Sequence, residues 1–227
     1  MALNINGTTG ISGVDGSVSA PALTGTDSNT GITFPSADTI KFATGGVERM
    51  SITNSGISGI AAGITMLDTY YLSSNVGLSG GNWNYVNMTR VNGTLNSRLR
   101  VSALGTGMTL DTSGSAHTFI FPSTGHYQLD FNTQISVTSS SSNVYMYSSI
   151  WTTIDGSNYD NTINTISNTF GNSNAVYTFQ TASAFIDVQS TSNDKFYLAV
   201  LPEVNSNLLG NSGNLTTWLQ IKKLAET

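Results

Sequence analysis

Two histidines, six of the ten aspartates and a succession of aromatic side chains are the groups in this 227-residue chain considered for chemistry. A nucleophilic relay would need His117 or His126 within hydrogen-bond reach of a serine and of an orienting carboxylate. Serine and threonine are so abundant that some will neighbour each histidine by chance. No Gly-x-Ser-x-Gly elbow lies in a plausible strand-to-helix context. A surface or packing role is therefore expected for both imidazoles. Glycoside hydrolysis would need two carboxylates about 5–10 Å apart across a sugar, drawn from Asp111, Asp130, Asp155, Asp160, Asp187 and Asp194. Asp130 falls on the polar face of a strand, and the others sit near turns, where Asp serves local hydrogen bonding. Nothing in their spacing pairs them. Asp155 to Asn161 has some likeness to a calcium loop, yet it lacks the alternating acids, the sixth-position Gly and the twelfth-position Glu of that motif. An Asp-Gly turn is the expectation there. The chain has no cysteine, which removes thiolate chemistry, disulfides and Cys-based zinc sites. No catalytic, cofactor-binding or metal-ligating residue is assigned, and a non-enzymatic protein is expected.

The elements that must position these groups are strands. Tyr127 to Val137 alternates over eleven residues: Tyr127, Leu129, Phe131, Ile135 and Val137 share one face, and Gln128, Asp130, Asn132, Gln134 and Ser136 the other. Period-two alternation of this length is the signature of a half-buried strand. Further strands are expected at 64–72, 83–89, 99–101, 144–154, 176–179, 182–188, 196–201 and 216–224, separated by Gly, Ser and Asn turns, as in a sandwich or barrel. Helical periodicity is weak throughout. Over 56–72, where it could be argued, Gly59 and Gly63 weigh against it. On the 144–154 strand, Tyr145, Tyr147 and Trp151 share one parity and Val144, Met146 and Ile150 the other. With both faces apolar, that strand is expected to lie between the core and a neighbouring subunit.

Residues 1–62 have a different texture, rich in Gly, Thr and Ser, with Phe34 and Phe42 as their aromatics. Two short alternating runs, Thr39 to Ala43 and Val47 to Ile52, flank Thr44-Gly45-Gly46 and predict a β-hairpin. A lone hairpin is marginal in water, so it must lie on something. The expected division is an N-terminal attachment segment, 1–62, and a head domain, 63–227.

Composition narrows the function further. Only 9% of residues are charged, against about 25% in ordinary soluble domains. Uncharged polarity suits a β surface that packs on copies of itself. Net charge is −5 and no basic block occurs, so a nucleic-acid partner is not expected. Nor is a membrane partner, since no apolar run approaches a spanning length. Residues 1–10 have neither the basic nor the apolar region of a secretory signal.

Several motifs carry a family resemblance. Phe119-Ile120-Phe121-Pro122-Ser123-Thr124-Gly125-His126-Tyr127 resembles the F-P-x-x-G-x-Y step of C1q/TNF-like jelly rolls. Thr216 to Leu224 resembles the closing strand of phage-encoded members, and Gly63 to Leu72 with Trp83 resembles the opening of such domains in aquatic phages. Asn6 to Gly16, Gly31 to Phe34 and Gly45 to Met50 are similar to leaders of phage fibre and decoration proteins. The resemblance implies a C-terminal C1q/TNF-like jelly-roll β-sandwich, a homotrimer, and a place on the outer surface of a tailed-phage virion after synthesis in the bacterial cytoplasm. A histidine metal site shared across the threefold axis is then the alternative to the packing role of His117 and His126. The expected function is a capsid decoration (cement) protein, with the N-terminal segment on the major capsid protein or another virion protein and the jelly roll projecting. A short tail or head fibre binding a host-surface glycan is the alternative. Tyr70, Tyr71, Trp83, Tyr85, Tyr145, Tyr147, Trp151, Tyr159 and Trp218 could stack on sugars, though most aromatics of a sandwich serve its core or interfaces.

Overall fold

The computed structural model describes residues 4–6, 10–12, 15–59, 64–91, 93–95, 99–101, 103–137, 144–169 and 176–226. Parts of the leader pattern at 6–16, and the 62/63 boundary, lie outside them. The chain divides into two units, Met1–Ala62 and Gly63–Thr227. All regular structure among the described residues is β.

In the first unit five strands follow one another in an antiparallel sheet: β1 (Leu23–Thr24), β2 (Gly31–Thr33), β3 (Ile40–Thr44), β4 (Val47–Thr53) and β5 (Gly56–Ser58). Gly45-Gly46 joins β3 to β4, and Ile40 faces Ile52 while Phe42 faces Met50. The sheet has almost no interior. Its buried positions are Thr33, Ala43 and Ser51, whereas Leu23, Phe34, Val47, Ile52 and Ile57 stand exposed.

The second unit is a sandwich whose eight main strands are β6 (Met66–Tyr71), β7 (Thr118–Ile120), β8 (Gly125–Val137), β9 (Val144–Thr153), β10 (Asp160–Thr169), β11 (Val176–Val188), β12 (Lys195–Pro202) and β13 (Trp218–Ala225). One sheet runs β6-β13-β8-β11 and the other β7-β12-β9-β10. Numbered along the chain, those orders are 1-8-3-6 and 2-7-4-5, the interleaving that makes a jelly roll. The 176–179 and 182–188 runs form one continuous strand, β11. The β10 strand is absent from the sequence expectations, because its apolar residues, Ile163 and Ile166, lie on opposite faces.

The core lies between the two sheets. On β8 the alternation is carried through without a break: Tyr127, Leu129, Phe131, Ile135 and Val137 are buried. Thr133, the polar residue of that inward row, bonds across the sandwich to Ser148 Oγ at 2.7 Å. Phe119 stacks on Phe196 at 4.7 Å and meets Tyr70 edge-on at 5.0 Å. The turn before β8 depends on Gly125, at φ 137°. A Cβ there would meet the Ala225 carbonyl oxygen and Lys223 Cε at 2.5 Å. Two residues on, the Tyr127 hydroxyl donates back to the Ser123 carbonyl at 2.9 Å. The F-P-x-x-G-x-Y pattern thus encodes a core entry, a close strand approach and a buried tyrosine anchored to its own turn.

One buried charge pins the periphery. Asp68 is fully buried on β6 and accepts from Arg90 Nε at 2.7 Å, the Met108 amide at 2.9 Å and the Thr69 amide at 3.1 Å. Gly107 leaves room for the guanidinium, since a Cβ there would lie 1.7 Å from an Arg90 nitrogen. Burying a carboxylate is tolerable only when it is paired and its lone pairs are used. Here all these donors converge on it.

Candidate interaction surfaces

The groups considered for catalysis are held apart in local structure. Asp155 accepts from the backbone amides of Asn158 (2.8 Å) and Ser157 (2.9 Å), from the Thr153 hydroxyl (2.9 Å) and from the Asn158 side chain (2.6 Å). These bonds, with the Asn158 amide foremost, hold its carboxyl well below the usual carboxylate range. Its oxygens are those of a turn. Asp194 accepts from the Gln189 and Ser190 amides at 2.6 and 2.8 Å, and Asp111 from the Ser113 amide at 2.9 Å. Asp130 lies 3.4 Å from Lys222 Nζ. Asp160 is exposed at the start of β10. His126 faces Asp187 at 3.7 Å on the outer face of the first sheet, while His117 donates its backbone N–H to Asn87. Among the described residues no three His, Asp or Glu side chains converge as a metal site would require.

Two other surfaces carry the unexplained apolar area. The first is on β11, where burial alternates over the whole strand. Thr178, Gln180, Ala182 and Ala184 point inward. Gln180 Nε2 donates to the Met146 carbonyl (3.2 Å) and to Ser167 Oγ (2.6 Å), drawing the edges of the two sheets together. That close approach admits small residues and excludes rings. The aromatics therefore take the outward parity: Tyr177 is 56% exposed, Phe179 70% and Phe185 76%. Their cross-strand neighbours on β8 are Ser136, Gln134 and Gln128, so three large apolar groups project from a polar sheet at its edge strand. Sequence reasoning missed them, because the rule that apolar residues face inward assigns the rings to the core.

The second surface is the outer face of the other sheet, where seven rings form a continuous run. Trp151 on β9 stacks on Tyr197 of β12 at 5.6 Å and 12°. Tyr197 also touches Tyr159 at 5.0 Å and Tyr85 at 5.5 Å. Trp83 lies edge-on to Trp151 at 5.3 Å and 6.2 Å from Tyr147, which leads on to Tyr145 at 5.7 Å. Small residues in the middle of this face, Ser149 and Ala199, are fully buried, and the rings roof them. The parity read for Tyr145, Tyr147 and Trp151 places them on this face, where they meet Trp83 and Tyr197 of the same chain. Burial, followed by the neighbouring hydroxyls of Tyr85 and Tyr159, pushes the Tyr197 phenol up to about 12. Tyr70, by contrast, is a core residue, and Tyr71 and Trp218 face each other across β6 and β13 on the first sheet.

No family model matches the chain, and no curated protein matches it. Among solved structures, the chain is similar to the Eiger TNF from S. frugiperda, at 15% identity and a TM-score of 0.45, over 73% of this chain and 95% of that one. The jelly-roll assignment rests on the strand order described above.

Proposed function

We propose that this chain is a non-enzymatic structural protein on the outer surface of a bacteriophage particle: a trimeric capsid decoration protein whose first unit anchors and whose jelly roll projects. The observation that carries the reading is the coreless sheet of the first unit. Its exposed Leu23, Phe34, Val47, Ile52 and Ile57 leave a five-stranded sheet without the apolar burial that stabilises one. Such a sheet gains its stability from a partner surface, which on a virion is the major capsid protein or a neighbouring component. The Tyr177, Phe179 and Phe185 stripe supports self-association of the heads, since rings left in water on an edge strand mark an interface. Three anchors on one trimer convert weak individual contacts into lasting attachment. The phage assignment itself rests on the sequence resemblance of the leader and closing strand.

A short tail or head fibre that holds a host-surface glycan is the second reading, favoured by the seven-ring cluster on the outer sheet. Gold-tagged antibody against the protein, imaged on intact particles, separates the two. Label over the head is the expected result. Label confined to the tail moves the fibre reading to first place, and particles without label overturn both.

A further inference from the structure

We infer that the aromatic roof over the β7-β12-β9-β10 sheet is a binding site for an uncharged pyranoside. The inference deepens the glycan-binding reading by naming the site and the ligand class, and it rests on that reading.

Three features of the patch select the ligand. First, its rings are partly exposed, with Tyr85 at 45%, and they come from separate segments that converge on Tyr197. A pyranose ring has a face of C–H groups that packs on a flat aromatic surface and a rim of hydroxyls that needs polar partners. Second, the patch supplies that polar rim. The hydroxyls of Tyr85, Tyr147, Tyr159 and Tyr197 make no hydrogen bond among the described residues. A phenol both donates and accepts, which matches the mixed demand of sugar hydroxyls. Third, the ring cluster itself contains no charged side chain. An organic cation would also be attracted to ring faces, and the test below includes one. A site for an acidic sugar would need Arg or Lys.

The chain's three tryptophans are Trp83, Trp151 and Trp218. In a Trp218→Phe background the remaining indoles both sit in the patch, so their emission reports on it. Full-length protein is titrated with maltoheptaose, cellohexaose and chitohexaose, with sialyllactose and tetramethylammonium as charged comparators. A saturable emission change with at least one neutral oligosaccharide is expected. Tyr159→Ala and Tyr85→Ala should each weaken it by about tenfold or more with circular dichroism unchanged, and Phe179→Ala should leave it intact. The proposal is overturned by the absence of a saturable change with all three neutral probes, by a change that survives both tyrosine substitutions, or by a response to the charged comparators alone. A fall in oligomer mass on Tyr159→Ala without effect on sugar response would also overturn it, assigning the patch to a protein contact. Particle labelling reports location whatever the sugar result, so failure of the site and failure of the glycan-binding reading remain distinguishable.

Discussion

Replacing Phe179 and Phe185 together by alanine should dissolve self-association of the heads while leaving each sandwich folded. A phenyl side chain offers on the order of 150–250 Å². With 70% and 76% of these residues exposed, each leaves roughly 100–190 Å² in water, by that range. At about 25 cal/mol per Å², covering one ring contributes about 2.5–5 kcal/mol before the ordering costs of association. Loss of about 2 kcal/mol per contact, the scale of an interface anchor, weakens association by roughly thirtyfold. In a closed ring of three copies the loss recurs at every interface. The protomer itself should tolerate the change, because neither ring touches the core and surface substitutions of this kind fall within about 0.5 kcal/mol. The assay is sedimentation velocity over a dilution series, with circular dichroism as the control for folding. Wild-type protein should sediment as a trimer and the double variant as a monomer over most of the range. If the variant keeps the wild-type mass at every dilution, the stripe is not an interface and the reasoning fails.

Other consequences follow from single sites. Asp68→Ala should destabilise the second unit by about 3–5 kcal/mol, the cost of breaking a buried pair, read by denaturant unfolding followed through tryptophan emission. Arg90→Ala in that background should add little, and equal additive losses would contradict the pairing. Gly125→Ala forces a Cβ to within 2.5 Å of the Ala225 carbonyl at a φ of 137°. A loss of about 2 kcal/mol or more is expected from strain of this kind, and a neutral outcome would show that the turn relaxes. The Asp155 carboxyl titrates below its unfolded range in the folded protein, so its contribution is complete at neutral pH and is lost as pH falls from about 4 downward. Protection of the Ser157 and Asn158 amides from exchange, relative to their intrinsic rates, should fall over that interval, and Asp155→Asn should remove most of this pH dependence.

The sequence by itself determined the β class, the core strand and the entry motif. In β8 every second residue from Tyr127 to Val137 is apolar or, at Thr133, a small hydroxyl, and a period of two over that length has no helical interpretation. The F-P-x-x-G-x-Y step was legible as a resemblance; the return of Tyr127 to the Ser123 carbonyl is local, whereas the close approach that requires Gly125 is made by Ala225 and Lys223, far along the chain. Only the tertiary structure decided which face of β11 looks outward. Val176 to Val188 alternates equally well either way, with rings at one parity and Ala, Thr and Gln at the other. The narrow gap between the β10 and β11 edges, bridged by Gln180 and Ser167, admits the small set and turns Tyr177, Phe179 and Phe185 to solvent. The tertiary structure likewise gathered Trp83, Tyr85, Trp151, Tyr159 and Tyr197, spread over more than a hundred residues of chain, into one roof. No local spacing encodes that meeting, because it depends on which strands the jelly-roll path brings side by side.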